Sequence, residues 1–175
     1  MAELLPQERL QPSLLDRLTD DDPHHQTEPT TSRVLTKQQL RQAVLRDLQW
    51  LFNAVRPPAP AFSGLTHVQG SVLNFGLPAF AGQTATRVSH AELERAVKEA
   101  IQRFEPRIDA DTLRVKVVMA TAFLDSHNVV QLQIEGTLWA QPTPLELILR
   151  SALDLETGQV VLGEGALRPQ RERAS

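Results

Sequence analysis

The strongest chemical juxtaposition in this chain is Glu105-Pro106-Arg107, an acid and a guanidinium on either side of a proline, set between Phe104 and Ile108. A proline disfavours the α region for the residue before it, so the order predicts that Glu105 leaves a helix and that Glu105 to Arg107 runs extended. Residues i and i+2 of an extended chain point the same way, which turns the carboxylate and the guanidinium to one side. A rigid guanidinium fork so placed can pair with a carboxylate or a backbone group of a partner protein. The alternative is a plain helix stop with solvated charges, where an exposed ion pair contributes only about 0–1 kcal/mol.

The other reactive residue types lack the spacing their chemistry needs. Glycoside hydrolysis requires two carboxyl groups facing each other across a cleft, about 5–9.5 Å apart. Glu105 with Asp109 or Asp111 is the pair to test, but these acids share one short segment. Arg107 beside Glu105 would also keep that carboxyl ionised and unfit to donate a proton. The chain has no tyrosine and only 5% aromatic residues, a poor stock for a sugar cleft. No catalytic residue is therefore expected. His24 and His25 project differently and lack a nearby third ligand, so they read as linker histidines, while His67 and His90 are scattered. Asp125, Ser126 and His127 resemble a catalytic triad in composition only, because sequence neighbours cannot line up as orienter, nucleophile and base. No cofactor or metal site is expected.

Composition narrows the class without naming a function. A chain of 175 residues, 41% hydrophobic and 22% charged, is long enough for one domain with a real core and short for two. Its net charge of −3 offers no basic face for nucleic acid or anionic membrane, so neither is an expected partner. Zero cysteines exclude disulfides, thiolate metal sites and cysteine nucleophiles. The first residues carry acids where a signal peptide has a basic region, and no apolar run approaches the roughly 18 residues of a membrane span. The expectation is a cytoplasmic protein without direct membrane insertion.

The elements that must position Glu105 and Arg107 follow from periodicity and capping. Ser13 and Asp16 can cap a short helix carrying Leu14, Leu15 and Leu18, too short to hold itself together in water, so it must dock on this domain or on another chain. Asp20 to Ser32 is polar, proline-punctuated and aperiodic, a flexible linker. Thr36 with Gln39 opens a helix whose apolar face is Leu40, Val44, Leu48, Leu51, Phe52 and Val55, stopped by Arg56-Pro57-Pro58-Ala59-Pro60. Residues 61–87 form an ordered irregular segment, with Asn74 or Gly76 supplying a left-handed turn. Ser89 and Glu92 make another capping box, ahead of Leu93, Val97, Ala100, Ile101 and Phe104 on one helical face.

After Arg107 the period changes to two. Leu113, Val115, Val117 and Met119 share one side, as do Val130 to Leu138 and Leu145 to Leu153 at alternate positions, and Asp154 to Gly158 turns the chain into Gln159 to Leu162. Short links between sequential strands predict a four-stranded antiparallel meander covered by the two amphipathic helices, an α+β fold. The boundaries are 1–32 for the N-terminal docking segment and linker, 33–165 for the domain, and 166–175 for a disordered tail. Trp50 and Trp139 are expected in the core, with an interface role as the alternative.

Four segments carry a resemblance to a known family: Arg46-Asp47-Leu48-Gln49-Trp50-Leu51-Phe52-Asn53, Ser71-Val72-Leu73-Asn74-Phe75-Gly76-Leu77-Pro78, Phe104-Glu105-Pro106-Arg107-Ile108, and the opening Pro12-Ser13-Leu14-Leu15-Asp16-Arg17-Leu18. Their kind and order, over residues 12 to 162, resemble the baseplate wedge proteins of contractile injection machines. The opening and its acidic linker are similar to the TssE branch, that of bacterial type VI secretion, rather than to the phage branch. Ala79, where the family often has an acid, and Phe75, in place of its commoner tyrosine, depart from the pattern.

The resemblance implies a non-enzymatic, structural subunit. In this reading Glu105, Pro106 and Arg107 engage the core bundle of the larger wedge subunits, with Leu14, Leu15 and Leu18 as a further docking segment. The sheet accepts strands from sheath subunits and so templates sheath assembly, at a baseplate on the cytoplasmic face of the inner membrane. A soluble anti-adaptor of the same fold is the runner-up. The muramidase activity suggested by the family's older lysozyme-like label fails the carboxylate test above.

Overall fold

Alternating burial sets the architecture of the second half of the chain, in the computed structural model that describes residues 13–19, 24, 35–82, 88–118, 128–140 and 143–164. Four strands, β1 (Arg114–Val118), β2 (Val129–Leu138), β3 (Leu145–Asp154) and β4 (Val160–Glu164), form one antiparallel sheet in the order β1-β2-β3-β4. Val130, Leu132, Ile134 and Leu138 of β2 and Leu147, Leu149 and Leu153 of β3 turn inward to the core. Their neighbours in sequence face outward, as a strand with one buried face requires. The β3–β4 link turns at Gly158, whose φ of 75° is the conformation that favours glycine. The fold is the α+β meander expected from the sequence. Met119, the Asp125-Ser126-His127 turn and the C-terminal tail lie outside the described residues.

Two long helices cover the inward face. The helices are α1 (Leu14–Leu18), α2 (Lys37–Asn53), α3 (Thr66–Gln69) and α4 (His90–Phe104). α2 begins with its full reciprocal cap, Thr36 Oγ1 accepting from the Gln39 N–H and Gln39 Oε1 from the Thr36 N–H. α4 forms only the first half of its expected box: Ser89 Oγ accepts from the Glu92 N–H at 3.4 Å. Leu40, Val44, Leu48, Leu51 and Phe52 from α2 and Leu93, Val97, Ala100 and Ile101 from α4 join the strand residues in one core. Each fully buried Leu or Ile contributes about 1.5–3 kcal/mol relative to an exposed one.

The structure departs from the sequence expectation at Val55, at both tryptophans and at Glu105 to Arg107. α2 ends at Asn53, with Ala54 already extended, so Val55 leaves the apolar stripe and is 67% exposed. Both tryptophans lie at the surface rather than in the core, Trp50 at 53% and Trp139 at 70% exposure. The segment Glu105 to Arg107 is not extended: Glu105 sits at φ −125° and ψ 74°, and the Ile108 N–H closes a turn on the Glu105 carbonyl at 3.2 Å. Pro106 does end the helix, but the chain bends instead of straightening.

Between α2 and α4 the chain is irregular yet pinned, and its segment 83–87 lies outside the described residues. α3 and two short 3-10 turns, Ala59–Phe62 and Val72–Asn74, interrupt it. Of the two candidates Gly76 takes the positive φ, at 115°, as Gly64 and Gly82 also do in this segment, and Asn74 does not; the Asn74 amide donates to the Gln69 carbonyl at 2.9 Å. Gly76 is needed twice over. A β-carbon there would sit 2.3 Å from the Ala54 carbonyl oxygen, the same oxygen that accepts from the Leu77 N–H at 2.9 Å. Replacing Gly76 by alanine combines a positive-φ penalty of about 1–3 kcal/mol with this backbone clash. Gly76→Ala is therefore expected to lower unfolding stability by more than about 2 kcal/mol in urea titration, and a loss under about 0.5 kcal/mol would contradict the close approach.

Candidate functional site

The turn after α4 carries a chain of alternating charge that ties distant parts of the sequence together. Glu105 is only 3% exposed, and a carboxylate so enclosed is very costly unless paired and hydrogen-bonded. Arg107 meets it with both arms of its fork, Nε donating to Oε1 and Nη2 to Oε2, each at 2.6 Å. The Arg107 backbone N–H adds a donation to Glu105 Oε1 at 3.2 Å. The same Nη2 reaches across to Asp47 on α2. Asp47 in turn is bound by its neighbour Arg46, whose Nη1 holds Asp16 of α1 at 2.7 Å. Asp16, Arg46, Asp47, Arg107 and Glu105 thus alternate in sign from the first helix to the end of α4.

Local structure explains why each group stands where it does. The turn at Pro106 brings the Arg107 side chain back over Glu105. Asp47 and Arg46 are consecutive on α2, one flank of which is the buried stripe of Val44, Leu48 and Leu51. Arg46 also lies over the Trp50 ring at 5.3 Å, a cation–π contact one helical turn on. Burial opposes the charge of Arg107, but the hydrogen bonds and charges of Glu105 and Asp47 outweigh it and push its pKa further up. Burial likewise opposes ionisation of Asp16, and Ser13 and Arg46 overcome it to hold its carboxyl below the usual range.

The residues singled out in the sequence fall into separate places. Glu105 and Arg107 come together with Asp47, and Pro106 stays exposed above them. Leu14, Leu15 and Leu18 are not part of the core: they are 72%, 42% and 74% exposed. What fastens α1 is its polar side, where Ser13 and Asp16 complete a capping box and Asp16 grips Arg46. Asp109 and Asp111 are exposed within one turn, the Asp109 carboxylate accepting the Asp111 N–H at 3.1 Å. They do not face Glu105 across a cleft. His24 and His67 are exposed, and His25 lies outside the described residues.

Sequence reasoning missed Asp47 and Arg46 as members of this site. The available signal was that both belong to a segment already singled out for its resemblance, 60 positions before Arg107. The remaining segments of that resemblance also converge on α2. Leu77 straddles the chain just past the helix, accepting from the Arg56 N–H and donating its own N–H to the carbonyl of Ala54, the C-cap of α2, both at 2.9 Å.

An intramolecular clamp of this kind changes the expectation for Arg107. As a solvated charge its loss would hardly touch folding, whereas removing it here strands a buried carboxylate. Arg107→Ala should destabilise the isolated domain by about 3–5 kcal/mol in denaturant unfolding, and Arg107→Lys by less, since one ammonium restores the charge but not the fork. A loss below about 1 kcal/mol for Arg107→Ala would mean that the pair behaves as an ordinary surface ion pair.

Comparison with known families places this geometry. Neither curated proteins nor solved structures give a match. A family profile described as "Baseplate wedge protein gp25" matches residues 38–143, more than half of the chain. The matched span takes in α2, Gly76, α4, the Glu105–Arg107 clamp with its partner Asp47, and the first two strands. The chain belongs to the baseplate wedge protein family.

Proposed function

We propose that this chain is the small wedge subunit of a type VI secretion baseplate, a structural part that joins the larger wedge subunits and templates the first ring of sheath. The observation that carries the reading is the convergence of the family-like segments on α2, with Arg107 locked between Glu105 and Asp47. The lock presents Pro106 and the exposed quarter of the Arg107–Asp47 pair at the surface in a fixed shape. Trp139, whose N–H donates to the Arg107 carbonyl at 2.7 Å, exposes 70% of its surface beside this segment. A rigid rim with one exposed tryptophan and a proline suits docking on a helical bundle, since prepaid order lowers the cost of binding.

The exposed leucines of α1 supply a further apolar contact to the wedge. Their face is open while their polar side is fixed to Arg46, so α1 can dock on another chain without leaving this one. Assembly takes place in the cytoplasm, and no helix among the described residues is long and apolar enough to cross a membrane. The job is scaffolding rather than catalysis: Glu105 is consumed in the clamp and Asp109 and Asp111 share one turn.

Co-purification with the larger wedge subunits of the same machine tests this reading. Leu14→Ser with Leu18→Ser should leave thermal unfolding unchanged while weakening capture at least about tenfold, a loss of about 1.4 kcal/mol. Normal capture by that folded double variant would remove α1 from the interface. Failure of the unaltered chain to co-purify at all would remove the wedge assignment.

A further inference from the structure

One carboxylate both builds α1 and holds it in place. The helix has five residues, Leu14–Leu18, far fewer than an isolated helix needs to persist in water. Burial does not make up the difference, because Leu14, Leu15 and Leu18 are all exposed. Asp16 divides its two oxygens between two tasks. Its Oδ2 closes the cap, accepting from the Ser13 hydroxyl at 2.6 Å and from the Ser13 N–H at 3.2 Å. Its Oδ1 meets Arg46 Nη1 of α2 at 2.7 Å, the one side-chain hydrogen bond or ion pair among the described residues that joins α1 to another element.

The receptor for this carboxylate does not depend on α1. Arg46 Nε donates to Asp47 Oδ1 at 2.9 Å, Nη2 lies 2.9 Å from the same oxygen, and the guanidinium rests over the Trp50 ring. Asp47 and Trp50 belong to α2 itself, a helix of 17 residues with its own buried stripe. Arg46 is therefore kept in position by its own helix, with Nη1 open to an acceptor. The Asp16 side chain is 11% exposed and that of Arg46 34%, so water and ions reach the pair from the arginine side. Salt screens the attraction there, and an acid brought by another chain competes with Asp16 for Nη1.

We infer that α1 is a latched arm: closing the Asp16–Arg46 pair folds the helix and docks it on α2 in one event, and opening the pair releases and unfolds it. Leu14 and Leu18 are four residues apart and Leu15 and Leu18 three, so the leucines share a side only while the segment is helical. The latch thus decides whether the leucine face exists. This regulation rests on the wedge contact proposed above for that face, and adds to it the residue pair that controls the face. The core of the domain takes no part.

The chain has no cysteine, so Leu15→Cys carries a single thiol for a bimane label, which Trp50 quenches when α1 sits on Arg46. The labelled full-length chain should be quenched at low salt, and Trp50→Phe should abolish the effect, identifying the quencher as Trp50 rather than Trp139. Asp16→Asn keeps an oxygen for the cap and removes the charge. It should relieve the quenching at least about twofold, as should Arg46→Gln and molar salt. The denaturant midpoint of Asp16→Asn should match that of the unaltered chain, since the arm adds nothing to the core. Quenching that survives both substitutions, an unaltered chain that is not quenched, or a lowered midpoint in Asp16→Asn would each overturn the latch. Capture by the larger wedge subunits then tests the regulation. Unlabelled Asp16→Asn, with every leucine in place, should be captured at least about fivefold less tightly, and undiminished capture would overturn the inference. If the unaltered chain is not captured at all, the wedge reading fails, while quenching in the isolated chain still decides the latch.

Discussion

A buried carboxylate that must stay paired governs this structure. Glu105 is enclosed at the foot of α4, where water cannot solvate its charge, and the Arg107 fork is the group that makes the enclosure tolerable. Because the same guanidinium also reaches Asp47, the end of α4 is fixed to α2. α2 then fixes much of the rest. Its Arg46 holds α1, the Ala54 carbonyl just past its end accepts from Leu77 beside Gly76, and its Gln49 and Asn53 clamp β4. One helix thus serves as core element on its apolar stripe and as polar hub on its flanks.

The arrangement explains how a small domain can present a defined surface with few specialised residues. Asp47, Arg107 and Glu105 pair with one another through Nε and Nη2 of Arg107, leaving Nη1 buried without a hydrogen bond, and what is exposed around them is Pro106, Trp139 and the open face of α1. The β4 edge is likewise closed from inside, the Val160 and Leu162 N–H groups donating to Asn53 and Gln49 of α2. In a family of baseplate wedge proteins, which implies assembly with other baseplate subunits, such pre-set surfaces reduce the order that assembly must supply.

Much of the fold was legible because it rests on local rules. The caps at Ser13 and Thr36, the period-two strands and the Gly158 turn each follow from residue type and spacing. What escaped depends on partners far along the chain. Glu105 to Arg107 bends because Arg107 is drawn back onto a buried acid and onto Asp47, and no local rule contains Asp47. Val55 fits the helical stripe by spacing alone, but the Leu77 bridge takes the backbone out of the helix before it. The tryptophans were misplaced since size favours burial, whereas Trp50 stands on the outer flank of α2 under Arg46 and Trp139 just beyond the end of β2. Gln49 and Asn53, four residues apart beside the apolar stripe, were a visible hint of a polar contact, but only the fold reveals the strand edge they meet.

The coupling between Asp47 and Arg107 is the most direct measure of this account. A double-mutant cycle of Asp47→Ala and Arg107→Ala, read by denaturant unfolding of the isolated chain, isolates their interaction from the separate cost of stranding Glu105. The account predicts a coupling of about 1–3 kcal/mol, with the two losses far from additive. Losses that add to within about 0.3 kcal/mol would show that α2 and the Glu105–Arg107 turn are held together by something else.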